Sequence, residues 1–202
     1  MTETTKSQQD AQKAQAKAVV REWIESIVIA LVLAMFIRTF FIQPFKIPSG
    51  SMRKTLIEGD RLFVSKFRYG AKVPFTDWRL PGIGQPERGD VIVFIYPNDR
   101  SKDFIKRLIA KGGETVEIKD GQIYVNDKQV DIPQIKKRYY YNRGDFGGLG
   151  EKIHVPLDSY FVLGDNSGSS HDSRYWGFVP KKDVIGKAEF IFWPLNRIRV
   201  IK

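Results

Sequence analysis

Cysteine is absent from the 202 residues, which excludes disulfides, thiolate metal sites and a cysteine nucleophile. A chain without cysteine suits the cytosol and an oxidising exterior equally. Histidine is scarce: His154 and His171 are the only two, so few imidazoles are available as a general base. No internal repeat is visible, and past residue 42 no long stretch keeps a helical apolar period.

What is present is a folded protein's balance of apolar and charged residues, in a chain long enough for one domain and an appendage. The formal charge of +10 points to an anionic partner, either nucleic acid or an anionic membrane surface, or to a solvated basic face.

Residues 1–20 are polar and rich in Gln, Ala and Lys, as in a disordered tail or a solvated helical lead-in. Ile27 to Ile37 is then apolar without interruption, and Trp23 to Ile42 reaches the ~20 residues that a bilayer crossing needs. Glu25 and Arg38 sit near its ends, where a charge can snorkel to the headgroups. The reading is an uncleaved anchor over 23–42 with a tail over 1–22. The long lead-in and the lack of a small-x-small site argue against a cleaved signal peptide. Lys6, Lys13, Lys17 and Arg21 precede the span and favour a cytoplasmic N-terminus.

From 43 to 202 the pattern is that of strands. Candidates are Arg61–Phe67, Asp90–Tyr96, Phe104–Ile109, Thr115–Ile118, Gln122–Val125, Tyr160–Leu163, Ala188–Trp193 and Arg197–Ile201. Asp120-Gly121 is a hairpin turn signal between two of them. The fold class is therefore mainly β: a membrane helix followed by a single β-rich domain of antiparallel sheets. Val73–Gly89 and Asp131–Gly150 read as loops. Phe75 and Trp78 in the first are candidate lipid contacts. The second sets Lys136, Lys137 and Arg138 beside Tyr139, Tyr140 and Tyr141, which could bind single strands, but no nucleic-acid fold surrounds it and such a partner is not expected.

Ile47-Pro48-Ser49-Gly50-Ser51-Met52 follows the span, and its serines are either nucleophile material or turn formers. His171 lies in Ser169-Ser170-His171-Asp172-Ser173, but residues adjacent in sequence rarely form a working triad. A neutral lysine is the other base. Lys54 makes Ser51-x-x-Lys54, the spacing of penicillin-recognising serine enzymes, yet their Ser-Asp-Asn and Lys-Thr-Gly elements are missing. Lys106 lies inside an apolar strand, where burial would disfavour its ammonium form; the plain alternative is a strand lysine facing water.

Pro48-Ser49-Gly50-Ser51-Met52, Gly59-Asp60-Arg61, Ile105-Lys106-Arg107 and Gly164-Asp165-Asn166 with Ser170-x-Asp172-Ser173-Arg174-x-Trp176-Gly177 occur in that order. The set resembles the successive boxes of bacterial type I signal peptidases, membrane-bound serine endopeptidases that release exported proteins. The resemblance spans roughly residues 23–195 and implies Ser51 as nucleophile and Lys106 as general base. It implies Ser49 and the Ser51 N–H as the oxyanion hole, and Ser170 as the residue orienting the lysine by a hydrogen bond. Asp172, Ser173 and Arg174 would support the site, the first and last as an ion pair, while Asp165 and Asn166 could do no more than hold the backbone. Signal peptides of secretory precursors would lie extended between Gln43–Ser49 and Asp103–Ile105. Shallow pockets lined by Phe45, Ile47, Met52, Leu56, Phe104 and Ile105 would give an Ala-x-Ala preference. The resemblance implies no metal and no cofactor, a phospholipid membrane as partner, and a catalytic domain on the outer face.

Two departures stand out. Lys54 replaces a usual proline, and Ala110-Lys111-Gly112-Gly113-Glu114 replaces Gly-x-Pro-Gly-Asp. Another Ser/Lys peptidase of the self-cleaving repressor kind, and a non-enzymatic membrane-anchored β-domain binding anionic partners, are the alternatives.

Overall fold

The computed structural model describes residues 2–73, 76 and 78–202. Phe75 lies outside them; Trp78 is exposed. The chain forms two compact units, Met1–Thr39 and Phe40–Lys202.

No glycine or proline interrupts Thr2 to Phe40, and one helix, α1 (Thr2–Phe40), runs through the polar lead-in and the apolar segment together. Within it, Val19–Phe40 is 22 residues long and apolar enough to cross a membrane. Trp23, Ile29, Val32 and Met35 are all more than half exposed, so the apolar surface is not confined to one stripe. The helix stops short of the expected limit. Ile42, counted at the end of the span, opens the first strand, because Pro44 two residues on cannot continue a helix.

Every strand described lies in the second unit. They are β1 (Ile42–Lys46), β2 (Arg61–Ser65), β3 (Val91–Ile95), β4 (Asp103–Lys111), β5 (Thr115–Lys119), β6 (Gln122–Val125), β7 (Lys128–Gln129), β8 (Lys152–His154), β9 (Ser159–Leu163), β10 (Val179–Pro180), β11 (Val184–Trp193) and β12 (Arg199–Val200). The larger sheet has the order β1-β2-β11-β3-β4-β9-β10, with β12 on β11; the smaller is β7-β6-β5-β8. All pairings are antiparallel.

The apolar run Val91–Ile95 lies centrally between β11 and β4, covered on both faces, which is why it does not alternate. Asp120 and Gly121 turn the β5–β6 hairpin, both at positive φ (50° and 74°) as a two-residue hairpin turn requires. Gaps in the strand reading fall on β1, whose Pro44 breaks a strand pattern, and on two- and three-residue elements such as β7, β8 and β10, too short for a pattern. The loop at 131–150 holds a single helical turn, α2 (Pro133–Lys136), and buries Tyr140 in the core around Ile118, Ile123 and Phe161.

One pairing detail positions the site. β3 pairs with β4 from Asp103 to Arg107, whereas β9 pairs with β4 only from Arg107 onward. On the side where β9 would continue, Asp103 to Lys106 keep an unpaired edge.

Candidate active site

Ser51 lies in a short 3₁₀ turn, Gly50–Met52, just beyond the extended segment that leaves β1. Ile47 anchors that segment: its N–H donates to Asp60 O at 2.9 Å and its C=O accepts from Gly59 N–H at 2.9 Å. The turn faces the open edge of β4. There Lys106 Nζ and Ser51 Oγ are 2.8 Å apart, bridging 55 sequence positions. Nζ also donates to Ile105 O at 3.0 Å and sits 5.3 Å from the centroid of the Phe104 ring.

Lys106 is only 4% exposed and Ser51 8%. Burial is the largest influence on the lysine and drives its pKa down; Asp172 and then Asp165 pull it back up, and it settles at about 8. At that pH roughly half of the side chain is an uncharged amine able to accept a proton, against well under ~1% for an unperturbed lysine.

A cavity of about 520 Å³ opens over the pair, lined by Pro48, Ser49, Ser51, Phe104, Ile105 and Lys106 among others. Ser49 is exposed at its rim and sits at the N-cap of the turn, but its hydroxyl oxygen accepts no backbone N–H there. Of the six residues expected to line pockets, only Phe104 and Ile105 do so. Met52 and Leu56 are fully buried with Ile47 in the core around Leu62, Val64 and Ile191, and Phe45 packs against that core. The 3₁₀ turn directs Ser51 to the cavity and rotates Met52 inward, where its sulfur accepts the Asp165 N–H at 3.4 Å.

The loop after β9 closes the back of the site. Asp172 and Arg174 are fully buried and doubly bonded, Nε to Oδ1 at 2.8 Å and Nη2 to Oδ2 at 2.9 Å. Asp172 also caps α3 (Ser173–Trp176) and accepts the Gly164 N–H at 2.9 Å, while Ser173 Oγ accepts the Val162 N–H at 3.0 Å. Arg174 spreads over Tyr141 O and both oxygens of Ser167, so the loop is held by charge-assisted bonds throughout. Ser170 is a correction. Its Oγ is buried without a hydrogen-bond partner among the described residues, so the expected bond to Lys106 is not made here. It is wedged against Gly164, where an added Cβ would come within 2.1 Å of Ser170 Oγ and 2.6 Å of Ser51 O.

Asp165 and Asn166 do more than turn the chain. Asp165 is fully buried and chelated by Arg107, Nε to Oδ1 at 2.8 Å and Nη2 to Oδ2 at 2.7 Å; Arg138 adds a bond at 2.9 Å and Thr55 a short hydroxyl bond. Arg107 enters the sequence reading only within the Ile105-Lys106-Arg107 box, with no role, Thr55 is given none, and Arg138 enters as part of a possible nucleic-acid loop. A signal for Arg107 was available: consecutive charges in an apolar strand point to opposite faces, so they cannot both reach water if the strand is central.

The departures from the family pattern have local answers. Lys54 has φ 86°, a left-handed conformation closed to proline and costing a side-chain-bearing residue on the order of 1–2 kcal/mol. In the altered segment Gly113 takes φ 86°, and Glu114 folds back to accept the Lys111 N–H at 2.7 Å while pairing with Arg88 at 2.6 Å. His171 lines the cavity 3.4 Å from the Tyr96 hydroxyl, and no bond from it to Ser51 is found among the described residues. No group of three or more His, Asp or Glu side chains among the described residues is placed to hold a metal.

Comparison with known proteins points to the same family. The family profile described as signal peptidase, peptidase S26, matches residues 20–193. Signal peptidase I P of Bacillus subtilis subsp. natto is 38% identical over 194 residues, covering 92% of this chain and 96% of its own. Signal peptidase I of Leptolyngbya laminosa is 37% identical over 204 residues, covering 97% and 91%. That of Pseudomonas aeruginosa is 34% identical over 211 residues, covering 86% and 73%. With a serine and a desolvated lysine in contact within the matched region, the chain belongs to the signal peptidase, peptidase S26, family.

Proposed function

We propose that the protein is a membrane-anchored serine endopeptidase that removes N-terminal signal peptides from exported precursors. One observation carries the mechanism: Lys106 Nζ lies 2.8 Å from Ser51 Oγ in a water-poor setting that lowers its pKa to about 8. Neutral Lys106 takes the Ser51 proton as Oγ attacks the scissile carbonyl. The Ser49 hydroxyl at the cavity rim and the Ser51 N–H stabilise the oxyanion, each donor contributing ~3 kcal/mol by analogy with other serine proteases. Lys106, now charged, protonates the leaving amine, and a water molecule activated by the regenerated amine hydrolyses the acyl-enzyme.

The substrate enters as an extended strand. The unpaired edge from Asp103 to Lys106 offers main-chain donors and acceptors, and the Gln43–Ser49 segment would face it, reaching the cavity wall at Pro48 and Ser49. Phe104 and Ile105 line the cavity, and the Ala-x-Ala preference is assigned to the space beside them. Ser170 supports the lysine by filling the space against Gly164, and Asp172, Ser173 and Arg174 hold the loop that carries it.

The apolar part of α1, ending at Phe40, anchors the chain, with 1–22 on the cytoplasmic side, as Lys17 and Arg21 before the span favour, and the β-rich domain on the outer face. The decisive experiment incubates the full chain in detergent with a secretory precursor and sequences the product's new N-terminus. Cleavage after Ala-x-Ala supports the reading; an intact precursor, or cutting elsewhere, overturns it.

A further inference from the structure

A second cavity of about 280 Å³ lies on the other side of the Ser51 turn, bounded by Lys54, Thr55, Arg138, Arg199 and the main chain at Lys202. Its side chains are mainly cationic. Asp165 is shared by two guanidiniums, Arg107 and Arg138, so one carboxylate serves two cations before Lys54 and Arg199 are counted. The nearby Asp60 is taken up by Arg197, bonded at both oxygens at 2.8 and 2.9 Å. Arg199 donates to Thr55 O, a neutral acceptor, and Arg107 adds a 3.3 Å bond to the main-chain oxygen of Lys202. Arg138 Nε is buried with no hydrogen-bond partner among the described residues.

Backbone strain falls at the same place. Lys54 holds φ 86°, a conformation disfavoured for any side-chain-bearing residue, and lines this cavity. Strained residues persist where surrounding structure or a bound ligand over-determines them. A concave site with two guanidiniums and an ammonium, in excess over carboxylate, fits a tetrahedral oxyanion: guanidinium forks engage two oxygens each and the ammonium supplies a point charge.

We infer that the Lys54–Arg138–Arg199 cavity binds a phosphate group, borne by an anionic lipid headgroup or by free phosphate. The site is separate from the Ser51–Lys106 cavity and stands whether or not the peptidase reading does.

The test uses the full chain and follows its melting temperature. In detergent, inorganic phosphate is titrated against potassium chloride of matched ionic strength, which screens without chelating. Wild-type protein is expected to show a saturable rise. Lys54→Gly, which removes a cation while relieving the positive-φ strain, and Arg199→Gln are each expected to half-saturate at about tenfold higher phosphate or more. A bilayer arm compares phosphatidylcholine vesicles with and without phosphatidylglycerol. If a lipid headgroup fills the cavity, phosphatidylglycerol raises the wild-type melting temperature more than the variants' and blunts the phosphate response. If free phosphate fills it, the phosphate response is the same in both vesicles. No saturable response in either arm, or responses equal in wild type and both variants, overturns the site. Because Lys54→Gly removes strain, its loss of binding cannot be put down to unfolding.

Discussion

Asn166 holds the main chain of Ser51 from behind: its N–H donates to Ser51 O at 3.0 Å, and its side-chain amide reaches Gly50 O at 2.9 Å. Both carbonyls are thereby satisfied by Asn166, itself part of the cavity lining, which fixes the direction in which the turn presents its N–H groups and Oγ. Asn166→Ala removes the side-chain half of this grip. It is expected to lower kcat about tenfold or more with little change in KM, since positioning is felt most in the transition state. A KM effect with unchanged kcat would assign Asn166 to substrate binding instead.

Ser51→Ala and Lys106→Ala are each expected to abolish precursor cleavage, whereas Lys54→Ala and His171→Ala retain it. Lys54 lies outside the catalytic cavity, and His171, though at its rim, is not seen bonded to Ser51 among the described residues. Product detection by gel with N-terminal sequencing checks the set. Full activity in Lys106→Ala ends the dyad assignment.

The pH profile follows from the same lysine. Only its neutral form accepts the Ser51 proton, so the rate rises with pH, passes its half-point near the pKa of about 8 and levels above it. At pH 6 the rate should be roughly a hundredfold below the plateau, with a limiting slope of one proton. A flat rate between about pH 6 and 9 contradicts a titrating lysine base.

Burying Lys106 also costs stability, and the sign is definite. Its folded pKa of about 8 lies below the unfolded value of 10.5, so between these limits the unfolded chain binds more protons and native stability falls as pH drops. Below pH 8 the penalty is constant at about 3 kcal/mol. Lys106→Met is therefore expected to be inactive yet more stable by up to about that amount at pH 6.5, with the gain shrinking towards pH 10.5. Urea unfolding at the two pH values measures it, and a gain that does not vary with pH refutes the account.

Asp165→Asn leaves Arg107 and Arg138 without their shared carboxylate, and Arg107 is fully buried. Breaking a buried pair on one side costs about 3–5 kcal/mol, far more than the Asp60–Arg197 pair with its half-buried arginine should cost. Denaturant unfolding of Asp165→Asn beside Asp60→Asn tests the ranking.

Legibility in the sequence tracked the range of the interactions. The long apolar segment, the strand Val91–Ile95 and the Asp120-Gly121 turn are local patterns, and each appears in the structure. Ser51 and Lys106 were recognisable because each lies in a box of distinctive spacing, and the structure brings them into contact. The pocket lining was misread at Met52 and Leu56 because apolar residues beside a serine carry no mark of which way a 3₁₀ turn will rotate them. Arg138 was harder still. Its partners Thr55 and Asp165 lie 83 and 27 positions away, and a basic residue among tyrosines looks solvent-facing until the chain is folded.

The four residues of β4 left unpaired by the short reach of β9 impose a filter that needs no side-chain reading. The exposed edge does not stand on an open rim; it is sunk between Pro48–Ser51 on one wall and Ser169–His171 on the other. A neighbouring sheet is too wide to enter such a slot, which protects the edge from aggregation. A substrate entering as proposed would pair with this edge as a single extended strand, so accessibility of its backbone would be selected before its sequence is.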